Sequence, residues 1–342
     1  MRRTYWIYCC FLVVAATTTV HAATFFVDTG GDDSNPGTSA ALPFRTIQQA
    51  IDVAVETPGP DMIKIASGEY VEKLSIKDAD KLTLAGSSGT LINAYDPEKN
   101  VIKIKSGDVT ISNLAVTGGE DGIKAKEMTS LTLRDVVVTG NADEGLQAED
   151  VSSVKIVHGT FSQNGDDGIK VEVAEAVQIT GTTVFDNGGD GIDLEEIGAI
   201  HVTDLTVDGN GDEGLEVDDS GSAVVVRGTY SNNADEGLDI DNTLSIRIVS
   251  IVSTGNGGNG LQVEADDEEI EIEAVSIVGS VFSDNDEDGI QIVEDGTVVH
   301  RVTLTNITTR NNVESGLDID VSGSVRLSRV ISEDNGEPDI LP

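Results

Sequence analysis

Acidic residues in this chain recur at fixed offsets from a repeated glycine, and that spacing is where chemistry could reside. Nine Gly-Ile or Gly-Leu pairs run through the 342 residues; the first seven, Gly122-Ile123 to Gly260-Leu261, stand 23 residues apart, and Gly289-Ile290 and Gly316-Leu317 follow at longer steps. Of the 61 acids, 25 lie two before, one before, two after or four after one of these glycines. The densest patch is Asp193, Glu195, Glu216, Asp218, Asp239 and Asp241, six carboxylates on three successive repeats. At the ~4.8 Å spacing of stacked strands, two carboxylates repel by roughly 0.9 kcal/mol in water and about 3.5 kcal/mol at an effective dielectric of 20. Relief comes from protonation or from a cation. Oxygen ligands at flexible spacing favour Ca²⁺ over Zn²⁺ or Mg²⁺, so Ca²⁺ is the expected cofactor. A second calcium signal is Asp284-Asn285-Asp286-Glu287-Asp288-Gly289 with Asp295 in the twelfth place, close to an EF-hand loop but without flanking helical pattern. Its candidate ligands are Asp284, Asp286 and Asp288.

These columns require an element that repeats every 23 residues. A period in that range, built of short apolar runs without helical spacing, predicts a β-solenoid. Within one repeat, Ile192 and Leu194 point inward, with Asp193 and Glu195 outward. Ile200 and Val202 then flank an outward His201, and Leu205 and Val207 flank an outward Thr206. Three short strands per coil follow, with equivalent residues stacked. The repeated glycine is expected to need a positive φ after a tight turn, and the asparagine four residues before it (Asn141 through Asn312) to form a ladder. The outward columns differ in chemistry: the first strand is acidic, the third rich in threonine, the second mixed and mildly basic. A halophilic coat would acidify every face, and ice binding would need paired threonine ranks rather than single columns. Before the repeats, Ile47, Ala50, Ile51 and Ala54 show helical spacing within 43–56 and predict a helix capping the first coil.

Several stretches resemble a known family. Phe26-Val27-Asp28, Asp33-Ser34-Asn35-Pro36-Gly37-Thr38, Pro43-Phe44-Arg45-Thr46-Ile47-Gln48 and Gly68-Glu69-Tyr70, with the Asn-x-x-x-Gly-Ile/Leu coils, resemble secreted right-handed parallel β-helix proteins of the pectate-lyase-like superfamily. The resemblance covers nearly all of the mature chain. It implies a right-handed coil and action on polysaccharides, especially uronic-acid polymers. Fold does not establish function. Gly165-Asp166-Asp167-Gly168-Ile169 is similar to the paired aspartates of polygalacturonases, but Gly-His-Gly and Arg-Ile-Lys are missing, as is the Asp-Pro-His-Asp of alginate epimerases. The coil turn explains the pair. A calcium-dependent lyase would need a base for the ring proton beside the carboxylate that Ca²⁺ neutralises; Lys170, in the outward column between Gln147 and Asp193 and near Glu149, Glu172 and Glu195, is the candidate. Those acids should raise its pKa, which favours a salt bridge over a base. Longer coils after Gly260 and Gly289 place loops at 265–274 and 294–301, where Arg247, His300 and Arg301 would meet an anionic sugar.

The ends and composition bound the rest. Arg2 and Arg3, the apolar run Tyr5–Ala16 and Val20-His21-Ala22 read as a secretory leader over 1–22, followed by a cap over 23–60 and the parallel β-helix over 61–342. The run is short for a membrane anchor. Both cysteines, Cys9 and Cys10, lie in the leader, so the mature chain has no thiol. The formal charge is −40, and −42 once the leader's two arginines are removed, which disfavours nucleic acid and anionic membranes as partners. The expectation is an all-β, exported, secreted or periplasmic Ca²⁺-binding protein with extracellular polysaccharide as partner. A calcium-dependent lyase and a non-catalytic surface or matrix protein are the alternatives.

Overall fold

The computed structural model describes residues 22–265, 271–294 and 298–341; the expected leader lies outside them but for Ala22. Apolar alternation becomes strand, and strands stack in parallel at the repeat interval. Leu146 pairs with Ile169, Ile169 with Ile192, Ile192 with Leu215 and Leu215 with Leu238, each 23 residues on. The inward residues read from sequence, Ile192, Leu194, Ile200, Val202, Leu205 and Val207, are all buried. They belong to one apolar cluster that runs from Phe25 to Val321.

The coil bends without interrupting its ladder. Ile192–Asp208 is a single strand of 17 residues. It turns at Glu196 and Asp204, which hold φ of 54° and 56°. Single left-handed residues thus make the corners, and side chains fill most of those positions. The marker glycines do something else. None of Gly122, Gly145, Gly168, Gly191, Gly214, Gly237, Gly260 and Gly289 has a positive φ, contrary to the sequence expectation. They are glycine because the next coil comes too close: a Cβ on Gly191 would lie 2.6 Å from the Gly214 carbonyl oxygen and 2.8 Å from Asn210 Nδ2.

That contact is part of the asparagine ladder, which forms as expected. Asn187 Nδ2 donates to Asn210 Oδ1 at 3.0 Å, and Asn210 Nδ2 to Asn233 Oδ1 at 3.0 Å. The same oxygens accept backbone N–H groups, Asn187 N at 3.2 Å and Asn210 N at 3.2 Å. The run extends from Asn141 through Asn312 to Asn335.

At the start, the helix Ile47–Glu56 buries Ile47, Ala50, Ile51 and Ala54, the four residues its spacing singled out. Thr46 caps it, and Glu72 accepts from Ile47 N and Gln48 N. Thr24–Val27 already pairs in parallel with residues 62–65, so the stacked sheet begins ahead of residue 61. Between Leu74 and Arg134 the register shifts twice before settling to the 23-residue step. Among the described residues no helix is long and apolar enough to cross a membrane.

Candidate functional site

Two adjoining columns form the site. The residue before each marker glycine lies in a turn that the neighbouring coils cover. Asp121, Glu144, Asp167, Asp190 and Glu236 there are at most 9% exposed. Several of these carboxylates hold the next coil's backbone: Asp190 N donates to Asp167 Oδ1 at 2.8 Å, Glu213 N to Asp190 Oδ1 at 2.9 Å and Ser315 N to Asp288 Oδ1 at 2.6 Å. Three residues later, on the outward face of the first strand, stand Lys124, Gln147, Lys170, Asp193, Glu216, Asp239 and Gln262, in register from coil to coil.

Across the two columns the early coils match each acid with a donor. Lys124 Nζ lies 3.0 Å from Asp121 Oδ2, Gln147 Nε2 donates to Glu144 at 3.1 Å, and Lys170 Nζ lies 3.7 Å from Asp167 Oδ2. Three coils then break the pattern. Asp190 stands with Asp193, Glu213 with Glu216, and Glu236 with Asp239: six acids and no cationic residue of their own. The neutral pair Asn259 and Gln262 ends the stretch, joined at 3.0 Å. Two ligand clusters result, Asp167–Asp190–Asp193 and Glu213–Glu236–Asp239, each with oxygens within 4.8 Å of one another.

The electrostatics follow from burial. Loss of water, then the charges of Asp166 and Asp193, pushes Asp167 up to about 6. Burial also raises Asp190, together with its hydrogen bond to Glu213. Glu216 is raised by burial and by Asp193; Asp239 by burial, Asp241 and Glu236. Asp239 Oδ1 is buried without a hydrogen-bond partner. These groups hold acceptor oxygens in excess, a state that a proton or a cation completes.

The structure sorts the sequence candidates. Asp193, Glu216 and Asp239 share one register line, and Asp193 and Asp239 enter the clusters. Glu195, Asp218 and Asp241 sit two residues further along and join neither; Asp241 Oδ1 instead accepts Glu264 N at 2.9 Å. Asp284, Asp286 and Asp288 are not brought together. Asp284 accepts Asn311 Nδ2 at 3.0 Å, Asn285 between them belongs to the ladder, and Asp288 serves Ser315, while Asp295 lies outside the described residues. The EF-hand-like spacing is here a coil turn. Lys170 is clamped between Asp193 and Asp167, and that pairing raises its pKa despite burial, the reverse of what a base requires. His300 Nε2 lies 2.9 Å from Glu271, and Arg247 stands in the column of Ser276 and Thr303, two coils from Arg301. No hydrogen bond or ion pair among the described residues joins Arg247, His300 and Arg301. The loop segments 266–270 and 295–297, central to that expectation, lie outside the described residues. Strand alternation does not extend to the column before the glycine, so its burial is not read from that pattern. Its signal was the substitution of Asn259 and Ser315 at that position, hydrogen-bonding types in place of charged ones.

Residues 100–250 match the family described as right handed beta helix region. The fold is a right-handed parallel β-helix. Solved structures agree over most of their lengths. The mannuronan C-5 epimerase AlgE6 A-module of Azotobacter vinelandii is similar at TM-score 0.60 and 18% identity, over 84% of this chain and 94% of that one. The AlgE4 A-module from the same organism matches at 0.53 and 19%, over 86% and 91%. A GH87 α-1,3-glucanase catalytic domain in complex with nigerose matches at 0.54 and 12%, over 86% of this chain and 64% of that one. At these identities the likeness is one of fold. No curated protein matches the chain in sequence.

Proposed function

We propose that this is an exported β-helix protein that binds extracellular polysaccharide, uronic-acid polymers above all, through Ca²⁺ held on the acidic face of coils 190–239. One observation carries the reading: over three consecutive coils the acid-with-donor pairing is replaced by acid-with-acid, and Asp239 keeps a buried oxygen without a partner. A polyanion would be repelled by a chain of formal charge −40. A divalent cation shared between Asp193, Glu216 or Asp239 and a sugar carboxylate turns that repulsion into a bridge. The epimerase and glucanase names of the fold's neighbours support carbohydrate as the ligand class. The clamped state of Lys170 favours binding over elimination chemistry.

The test is a panel of uronate and neutral polymers presented to the mature protein with Ca²⁺ and with chelator. Retention on uronates that is lost in chelator, and lost in Asp193→Asn/Glu216→Gln/Asp239→Asn, is the expected result. Retention indifferent to both would move the site elsewhere. Ultraviolet absorbance from unsaturated products in the same mixtures would convert the reading to a lyase.

A further inference from the structure

A third acidic group lies earlier along the same columns, before coils 190–239 and at the beginning of the regular coils. Asp121, Asp143 and Glu144 each offer an oxygen within 4.8 Å of the others. Acids gathered at a coil turn are ordinary in this chain, so proximity alone says little. What separates this group is unmet hydrogen-bonding capacity in the interior. Asp121 is 0% exposed and Glu144 6%. Asp121 Oδ1 and Glu144 Oε2 are buried with no partner, and so is Gln147 Oε1 beside them. The other oxygens of the two acids are occupied: Asp121 Oδ2 by Asn100 Nδ2 and Lys124 Nζ, Glu144 Oε1 by Gln147 Nε2. Asp167 and Asp190, by contrast, have each turned an oxygen to the backbone N–H of the following coil. Asp121 Oδ1 and Glu144 Oε2 make no such bond.

A buried acceptor that meets no donor costs free energy, and two neighbouring buried carboxylates each with such an oxygen cost more. Three carboxylates and one ammonium, that of Lys124, leave a local formal charge of −2. We propose that Asp121, Asp143 and Glu144 bind a single divalent cation, Ca²⁺ by the chemistry of the donors, as a structural site. Opposite oxygens around Ca²⁺ stand ~4.6–5.2 Å apart at its usual ligand distances, which accommodates the spacing here. Its place in the fold suits that role. Asn100 belongs to the irregular coil before Gly122, and the strand pairing of Ile102–Ser112 with Ile123–Arg134 shifts register between Lys105 and Asp108. The cation would fasten that irregular coil to the first members of the 23-residue stack.

The test uses the full mature chain, stripped with chelator and titrated calorimetrically with Ca²⁺ alone. Glu144→Gln should lose one bound equivalent or weaken it at least tenfold. Asp143→Asn, whose side chain is only partly buried, should weaken the same equivalent and guards against a misfolded Glu144 variant. Asp193→Asn/Glu216→Gln/Asp239→Asn should keep this equivalent, so its loss and failure of the polysaccharide reading are separately visible. The proposal is overturned if both single variants bind as many ions as the parent at the parent's affinity. It is equally overturned if the parent binds no ion that Glu144→Gln lacks while that variant melts higher in chelator, since Asp121 and Glu144 then share a proton.

Discussion

Replacing Glu216 with Lys turns the site's own logic against it. Glu216 stacks between Asp193 and Asp239 on the outward face. Lys170 shows that a lysine in this column fits, since it reaches Asp193 on the next coil and lies 3.7 Å from Asp167 on its own. Each charged neighbour at ~4.8 Å repels Glu216 by at most about 3.5 kcal/mol at an effective dielectric of 20. Partial exposure and partial protonation cut that substantially, so a net gain of about 2 kcal/mol is expected in chelator, where the substitution exchanges repulsion for attraction. At the usual unfolding entropy per residue, a chain of this length would show that as a midpoint rise of roughly 3 °C. In Ca²⁺ the order should close or invert. The parent gains about 2.7 kcal/mol at one hundred times its dissociation constant, and a variant that occupies the site with its own ammonium forgoes this. Thermal melts in chelator, in Ca²⁺ and in Na⁺ of matched ionic strength decide the matter; midpoints are compared because a solenoid need not unfold in two states. If Glu216→Lys melts no higher than the parent in chelator and responds to Ca²⁺ as the parent does, the columns are solvated acids and the reasoning fails.

Three other outcomes are expected. Asn210→Ala strips Asn187 Nδ2 and Asn187 N of their acceptor and Asn233 Oδ1 of its side-chain donor, leaving it only the backbone N–H of residue 210, so denaturant melts should show a loss of about 3 kcal/mol; a loss under about 1 kcal/mol would make the ladder ornamental. In chelator, stability should rise as pH falls from 7 to 5. Asp167 and Asp288 are each pushed up to about 6 in the folded chain, so the protonated fold is favoured and that advantage is lost as pH rises through about 6; a midpoint that falls on acidification over this window contradicts the buried-acid account. Inserting one residue within Val224-Val225-Val226 should reverse the faces of that strand and expose Val225, read as protease sensitivity confined to that coil.

Much of the architecture was legible because a solenoid writes itself into the sequence at fixed intervals. The alternation around Ile192 and Leu194, the ladder from Asn141 onward and the helix carrying Ile47 and Ala54 each depend on local spacing, and each is found. The glycine at the head of every coil was recognised but misjudged. Its cause is the carbonyl oxygen of the next coil, a contact between residues 23 apart that no local φ argument contains. The site was legible in outline only. Alternation correctly turned Asp193 and Asp239 outward, yet Asp193 is 6% exposed because Lys170 from the preceding coil lies over it. Asp190 and Glu236 were seen as a column and not as interior groups, because a strand-based reading assigns turns to solvent. Asp284 to Asp288 misled for the opposite reason: a spacing that suits a calcium loop also suits a coil turn, and the ladder had already claimed Asn285.

The amide ladder makes each coil interchangeable with its neighbours. Excising 23 residues between equivalent points, 188–210, would hand Asn187 to Asn233 as its new acceptor and so reproduce the ladder contact across the junction. The same excision would remove Asp190 and Asp193 and leave two donorless coils where there were three. The length of the acidic face is therefore a variable that duplication or loss of whole coils can set independently of the fold; on the proposed function, cation capacity and the span of polymer engaged would then differ between proteins whose cores superimpose.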